Sequence, residues 1–203
     1  MANVLIVFDT RYGNTMRLAE AVAEGARGVG GTAVKLARAR EVAPEVIIQQ
    51  NERWAAAHQR FMSYPEATNE DLDWCHGLIL GSPTRFGNMS APLKTFIDGT
   101  SRVWLKGGLI NKVAAAFTSS SSLHGGQETT IVSMWFPLIH QGCVIVGLPY
   151  SLPELTSTER GGSPYGPASV SGPAADQGPN EVELKLASAL GRRVAELAAK
   201  LWP

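Results

Sequence analysis

The chain has 203 residues, which is the size of one domain with a single sizeable core, so we treat residues 1–203 as a single domain. Its 18 Lys and Arg residues balance 18 Asp and Glu residues, and the formal net charge at pH 7 is zero. This balance excludes a general electrostatic attraction to nucleic acid or to anionic lipid, because either partner requires a basic excess. The 21 glycines and 12 prolines exceed the usual share, so the places where they cluster are informative.

Cysteine usage and the amino-terminal residues both favour a soluble protein. Cys75 and Cys143 lie far apart, without the paired spacing of a zinc site or a disulfide framework. The apolar run at residues 4–8 is followed by Asp9 and Arg11, which end it before it could act as a secretion signal or cross a membrane. We therefore expect reduced thiols, no metal site, no membrane span and a cytoplasmic location.

The first forty residues predict a β-α-β unit. Residues 4–8 are continuously apolar, which is typical of a strand buried on both faces of a parallel sheet. A helix follows, with apolar residues at helical spacing at Leu18, Val22, Ala26 and Val29. Gly28, Gly30 and Gly31 end that helix, and residues 32–36 form a second strand. Such a unit implies parallel pairing with a right-handed crossover.

The alternation of strands and helices continues to the end of the chain. Further strands are predicted at residues 77–80, 113–117 and 143–146. One helix begins at Ser90 and Pro92, a second runs from about residue 127 to residue 140, and the last begins at a capping box formed by Asn180 and Glu183. Together these elements predict an α/β fold: a doubly wound, five-stranded parallel sheet in the order 2-1-3-4-5, with helices on both faces.

Two stretches do not fit this alternation. Residues 40–72 are too long for one simple connection and show weak periodicity, so we expect an irregular or partly helical excursion there. Residues 161–180 hold five glycines, four prolines and a single charged residue, Asp176. A loop of this length in a compact domain is usually either functional or disordered.

Three loops rich in small polar residues follow the first, third and fourth predicted strands. They comprise residues 10–15, residues 83–88 and residues 119–126. In an open parallel sheet, ligands bind outside the carboxyl ends of the strands where the strand order reverses, and the order 2-1-3-4-5 makes these strands neighbours. Each loop has a simpler interpretation, as a helix cap, a turn or a flexible linker. All three together favour a ligand site.

The first loop favours a phosphate monoester such as that of FMN. It runs directly into a helix, so backbone N–H groups and the positive end of the helix dipole face its ligand. Thr10, Asn14 and Thr15 add neutral hydrogen-bonding groups, and Arg11 is the one cation. A nucleoside triphosphate is disfavoured because the string G-x-x-x-x-G-K-[ST] does not occur. The alternative is that the threonines and the asparagine only cap the helix.

Four motifs together identify a family resemblance. They are Thr10-Arg-Tyr-Gly-Asn-Thr15, Pro83-Thr-Arg-Phe-Gly-Asn-Met-Ser90, His124-Gly-Gly-Gln-Glu128 and Arg160-Gly-Gly-Ser-Pro-Tyr-Gly166. The first resembles the flavodoxin phosphate loop, and the set resembles the WrbA family of flavodoxin-like, FMN-dependent NAD(P)H:quinone oxidoreductases. The likeness covers nearly the whole chain and is weakest at residues 40–72.

The resemblance implies a set of site residues. The FMN-binding residues it implies are Thr10, Arg11, Tyr12, Gly13, Asn14, Thr15, Pro83, Thr84, Arg85, Phe86, Gly87, Asn88, Ser119, Ser120, Ser121, Ser122, Leu123, His124, Gly125, Gly126 and His140. Tyr12 and Trp104 are implied to contact substrate. His140 is the candidate catalytic residue, as a proton source or donor to the quinone oxygen; the alternative is an orienting hydrogen bond without proton transfer. Where this chain has His140-Gln-Gly, the family commonly has His-His-Gly.

The implied reaction is a two-electron reduction of quinones to hydroquinones. NADH or NADPH delivers a hydride to bound FMN and leaves, and the quinone then takes the electrons, in a ping-pong sequence. The resemblance also implies a homotetramer, a dimer of dimers, in which residues 161–180 lie at a subunit contact beside the flavin. It implies neither a nucleic-acid partner nor a metal.

Two alternatives remain at this point. One is an electron-carrier flavodoxin, which the zero net charge disfavours because such carriers are typically strongly acidic. The other is a regulatory binding protein without turnover, although the sequence has no helix-turn-helix signal and no basic stripe.

Overall fold

The computed structural model describes residues 1–202, which form six strands and nine helices. The strands are β1 Ala2–Phe8, β2 Thr32–Arg38, β3 Gly77–Pro83, β4 Val113–Ser120, β5 Val144–Ile145 and β6 Ala168–Val170. The helices are α1 Asn14–Arg27, α2 Glu45–Gln49, α3 Glu52–Phe61, α4 Asn69–Trp74, α5 Ala91–Asp98, α6 Ser101–Leu105, α7 Gln127–His140, α8 Pro153–Ser157 and α9 Glu181–Leu201.

The sheet is parallel, in the order β2-β1-β3-β4-β5, which confirms the predicted fold. Its register aligns Phe8 with Gly81 and Pro83 with Ser119. The loops after β1, β3 and β4 therefore leave the sheet at the same edge, as the sequence predicts.

The fifth position of the sheet is divided between two short strands. β5 pairs with the first two residues of β4, and β6 pairs with residues 118–120 at its other end. The intervening segment, residues 146–167, loops out of the sheet and includes α8. The prediction that residues 161–180 form a loop throughout was therefore wrong in one respect. This segment contains the strand β6, which extends the sheet at its carboxyl edge.

Apolar side chains alternate along β1 and supply a core on each face of the sheet. Val4, Ile6 and Phe8 pack with α1 and α9, whereas Leu5 and Val7 pack with the layer that contains α4, α5 and α7. This two-sided burial explains why the strand is continuously apolar in sequence.

The outer helices α1 and α9 cross at two glycines. A Cβ atom at Gly191 would lie 1.9 Å from the carbonyl oxygen of Val22, and one at Gly25 would lie 1.9 Å from that of Ser188. The backbones can approach this closely only because both positions lack a side chain.

We expect Gly191→Ala to lower the free energy of unfolding by roughly 3 kcal/mol, because the helices must separate to admit the methyl group. Urea denaturation measures this change. Gly30→Ala is the matched control, because a Cβ atom there meets nothing within 4 Å. Equal stability of the two variants would contradict the close crossing.

The predicted excursion at residues 40–72 is largely helical, containing α2, α3 and most of α4. It is anchored by Phe61, whose ring meets that of Phe8 edge-on at a centroid distance of 5.6 Å. Its helix α3 also presents Arg53 and Trp54 to the loop after β1. The excursion therefore helps to frame the carboxyl edge of the sheet.

Several predicted strands and helices were too short or too long. β3 extends to Pro83 and β4 to Ser120, so polar residues that we placed in loops are strand residues. The fifth strand is reduced to residues 144–145, although the Val146 N–H still donates to the Ala114 carbonyl oxygen at 2.8 Å. Helix α1 ends at Arg27, so Val29 lies beyond it. No helix within residues 1–202 combines the length and the apolar character that a membrane crossing requires.

Candidate active site

The loop after β1 forms a cradle of unpartnered backbone donors. Gly13 is the N-cap of α1, and its φ of 90° lies in the left-handed region that favours glycine. Its N–H donates to Thr10 Oγ1 at 3.1 Å. Within residues 1–202, no side chain caps α1 and its first turn carries no acidic residue. The first-turn N–H groups and the helix dipole are therefore available to an anion.

The loops after β3 and β4 are tied to each other and to the first loop by hydroxyl groups. Thr15 Oγ1 and Ser119 Oγ lie 2.8 Å apart in a buried hydrogen bond. Thr84 N–H donates to the Ser119 carbonyl oxygen at 2.8 Å, and Thr84 Oγ1 accepts from Thr130 Oγ1 at 2.7 Å. These bonds fix the relative positions of the three loops.

The three loops enclose a cavity of about 260 Å³. Its wall contains most of the residues predicted at these loops: Thr10, Arg11, Tyr12, Asn14, Thr15, Pro83, Thr84, Arg85, Ser119, Ser120 and Ser121. No residue of this wall is acidic, and two are arginines. The cavity is therefore suited to a ligand that carries an anionic group.

Two further wall residues, Ser171 and Ala175, follow β6. Ser171 is fixed to the sheet, since both its N–H and its Oγ donate to the Ser120 carbonyl oxygen, at 2.8 and 3.0 Å. The family resemblance implied that residues 161–180 lie beside the flavin, but it identified neither Ser171 nor Ala175. The short run Ala168-Ser-Val170 is the one signal that a strand brings this loop to the edge.

Some predicted cofactor residues lie outside the cavity wall. Gly13 is the N-cap of α1 and does not line the cavity. Eight others in the second and third loops do not line the cavity and are exposed or half-buried: Phe86, Gly87, Asn88, Ser122, Leu123, His124, Gly125 and Gly126. Phe86 combines a fully exposed side chain with a φ of 53°, which is uncommon for an aromatic residue. Such strain at a ligand edge is typical of functional positions.

His140 and Trp104 lie together, but at the opposite edge of the sheet. Trp104 Nε1 donates to the His140 carbonyl oxygen at 3.1 Å. Helix α7 starts beside the cavity at Gln127 and ends at His140, so its length separates His140 from the loops by roughly 20 Å. Within one chain, neither residue reaches the cavity.

A second cavity, of about 280 Å³, lies on the β2 side of the first loop. It shares Thr10, Arg11 and Arg85 with the first cavity and also contains Asp9 and Glu41. Burial raises the pKa of the Asp9 carboxyl, and the nearby Glu41 carboxylate adds to this, whereas Ser90 and Arg85 oppose it. Burial lowers the pKa of the Arg85 guanidinium, and Asp9 partly offsets that effect.

A metal is not suggested by the side chains present. Residues 1–202 contain no group of three or more His, Cys, Asp or Glu side chains placed to bind an ion. Both cysteines are free thiols, and burial raises the pKa of each to about 12.

The strand order and the donor-lined cavity after β1 define a flavodoxin-like protein. The family model described as NADPH-dependent FMN reductase matches residues 4–152. A curated relative from Aromatoleum aromaticum, named NAD(P)H dehydrogenase (quinone), is 44% identical over 98% of this chain and 96% of its own length. A relative of the same name from Geobacter sulfurreducens is also 44% identical, over 98% of each chain.

Solved structures show the same likeness. The WrbA-like flavodoxin from Agrobacterium tumefaciens covers 98% of this chain and 99% of its own, with 26% identity and a TM-score of 0.67. Flavodoxin 1 from Bacillus cereus, at 15% identity and a TM-score of 0.60, shares the fold. The chain therefore belongs to the NADPH-dependent FMN reductase family, and its predicted likeness to the WrbA-type quinone oxidoreductases is confirmed.

Proposed function

We propose that the protein is an FMN-dependent NAD(P)H:quinone oxidoreductase. The observation that carries this proposal is the acid-free cavity at the carboxyl edge, where the unpartnered first turn of α1 meets hydroxyl groups from three loops. The full-length relatives named NAD(P)H dehydrogenase (quinone) support the same activity.

The cavity residues fit the phosphate and the polar ring edge of FMN. Thr10, Asn14 and Thr15, with the N–H groups of α1, would hold the phosphate, while Arg11 and Arg85 balance its charge. Ser119, Ser120 and Ser121 would donate to or accept from the polar ring, because they lie on the β4 wall of the same cavity. FMN, when bound, takes two electrons from the nicotinamide donor and passes them to the quinone.

The roles of Trp104 and His140 require a second copy of the chain. Both lie on helices, α6 and α7, that carry exposed apolar side chains, and clustered exposed apolar side chains mark a protein contact. The exposed apolar residues on α6 and α7 are Trp104, Leu105, Phe136 and Ile139. We propose a homotetramer in which a neighbouring subunit supplies Trp104 and His140 to each FMN site, where Tyr12 and Trp104 contact substrate and His140 donates to the quinone oxygen.

We also propose that the protein works in the cytoplasm. Cys75 and Cys143 are both free, as expected in a reducing compartment.

A visible spectrum of the protein with added FMN tests the proposed function. Excess NADH or NADPH should bleach the flavin absorbance in the absence of quinone, and benzoquinone should then restore it. Separate bleaching and recovery are what a ping-pong sequence requires. The control is free FMN with the same reagents, which measures the uncatalysed rate. If protein-bound FMN stays oxidised in excess NADH and NADPH, the result would contradict the proposed enzymatic activity and favour an electron carrier.

A further inference from the structure

We propose that the second cavity binds the ribose and pyrophosphate of the dinucleotide donor, and that Glu41 makes the protein prefer NADH to NADPH. This inference rests on the proposed function, because it assigns the donor of that same reaction. It concerns a cavity that is distinct from the cradle after β1 but continuous with it through Thr10, Arg11 and Arg85.

Arg11 is held in place without a charged partner. Its guanidinium lies 4.1 Å from the centroid of the Trp54 ring and 5.5 Å from that of Tyr12. Within residues 1–202 it forms no salt bridge, and its buried Nε has no hydrogen-bond partner. Since Trp54 lines the second cavity and Tyr12 the first, the guanidinium lies at the junction of the two. An arginine fixed by aromatic rings and lacking a carboxylate is suited to phosphate.

Glu41 is also oriented, with one oxygen free. Its Oε1 accepts from the N–H groups of Val42 and Ala43, both at 2.8 Å, and its side chain lines the second cavity. Within residues 1–202, no lysine or arginine forms a salt bridge with it. A carboxylate just after the second strand of a nucleotide-binding sheet is suited to accept the hydroxyls of a ribose, and it repels a 2′-phosphate.

Other groups of this cavity agree with a nucleoside ligand. Asp9 and Ser90 are polar residues of the same wall, and the Ser90 hydroxyl interacts with the Asp9 carboxyl and opposes the rise in its pKa. Val42, Ala43 and Pro92 add an apolar wall for a base.

Calorimetry with ADP-ribose and its 2′-phosphate tests the proposal independently of turnover. The FMN-loaded protein should bind ADP-ribose more tightly than the 2′-phosphate. Glu41→Gln should reduce that preference about tenfold, because the amide oxygen still accepts from Val42 and Ala43 while the charge is lost. Arg11→Met, kept saturated with FMN because Arg11 also lines the first cavity, should weaken both ligands about tenfold. The matched controls are Glu45→Gln and Arg27→Met, which alter exposed residues outside this cavity.

Steady-state rates give a second readout. Glu41→Gln should lower the ratio of kcat/KM for NADH to that for NADPH about tenfold, with an unchanged Kd for FMN. Unchanged ADP-ribose binding in both variants, or an unchanged preference in Glu41→Gln, would overturn the proposal. If the wild-type protein binds ADP-ribose as expected but NADH never reduces FMN, the proposed function fails and the nucleotide site stands.

Discussion

Simultaneous replacement of Thr10, Asn14 and Thr15 by alanine should weaken FMN binding by at least about a hundredfold, since each hydrogen bond to a charged group contributes about 1.5–3 kcal/mol. All three residues line the first cavity. Thr10 also holds the Gly13 N–H, and Thr15 holds Ser119, so the cradle itself should loosen. Some affinity should remain, because the backbone N–H groups of α1 are unaltered.

Quenching of FMN fluorescence on titration with protein measures this affinity. The matched control is the triple variant Asn69→Ala, Thr95→Ala and Thr156→Ala, which removes the same residue types outside the cavity, from one half-buried position and two exposed ones. Thermal unfolding of both triple variants checks that the fold is intact. A folded Thr10, Asn14 and Thr15 variant with wild-type affinity would mean that the phosphate binds elsewhere.

The sequence predicts the sheet well because its strands are buried on both faces. Continuous apolar runs such as residues 4–8 have few alternatives to a central parallel strand, and their order followed from the β-α-β alternation. The strand ends were less predictable. Ser82 and Ser119 belong to strands but are polar, so the apolar pattern stops before the hydrogen-bonded ladder does.

Parts of the site depend on contacts between residues distant in sequence. The stacking of Arg11 on Trp54 and the pairing of β6 with β4 have no local signal, because both depend on how separate segments pack. The position of His140, by contrast, could be predicted from the sequence. A helix that starts at the carboxyl edge and runs for 14 residues must end near the other edge, so the predicted helix 127–140 already separated His140 from the loops.

Glu183→Ala is expected to lower the free energy of unfolding by about 3–5 kcal/mol. Glu183 is fully buried, and the structure shows it to be more than the predicted helix cap. Its Oε1 accepts from the N–H groups of Gly161 and Val170, both at 3.0 Å, and its Oε2 accepts from Asn180 at 2.8 Å. One carboxylate thus fixes both ends of the segment that carries β6 and Ser171.

The same substitution should also weaken FMN binding, because Ser171 and Ala175 form one wall of the cavity and depend on this anchor. Urea denaturation and FMN titration measure the two effects. Glu181→Ala is the matched control: it removes a carboxylate from the same helix, but an exposed one that pairs with Lys185. The stability of Glu183→Gln should lie between those of Glu183→Ala and Glu181→Ala. Its amide oxygen can still accept from Gly161 and Val170, but its NH₂ group opposes the Asn180 N–H. A Glu183→Ala variant that loses stability but binds FMN with wild-type affinity would show that this wall does not contact the cofactor.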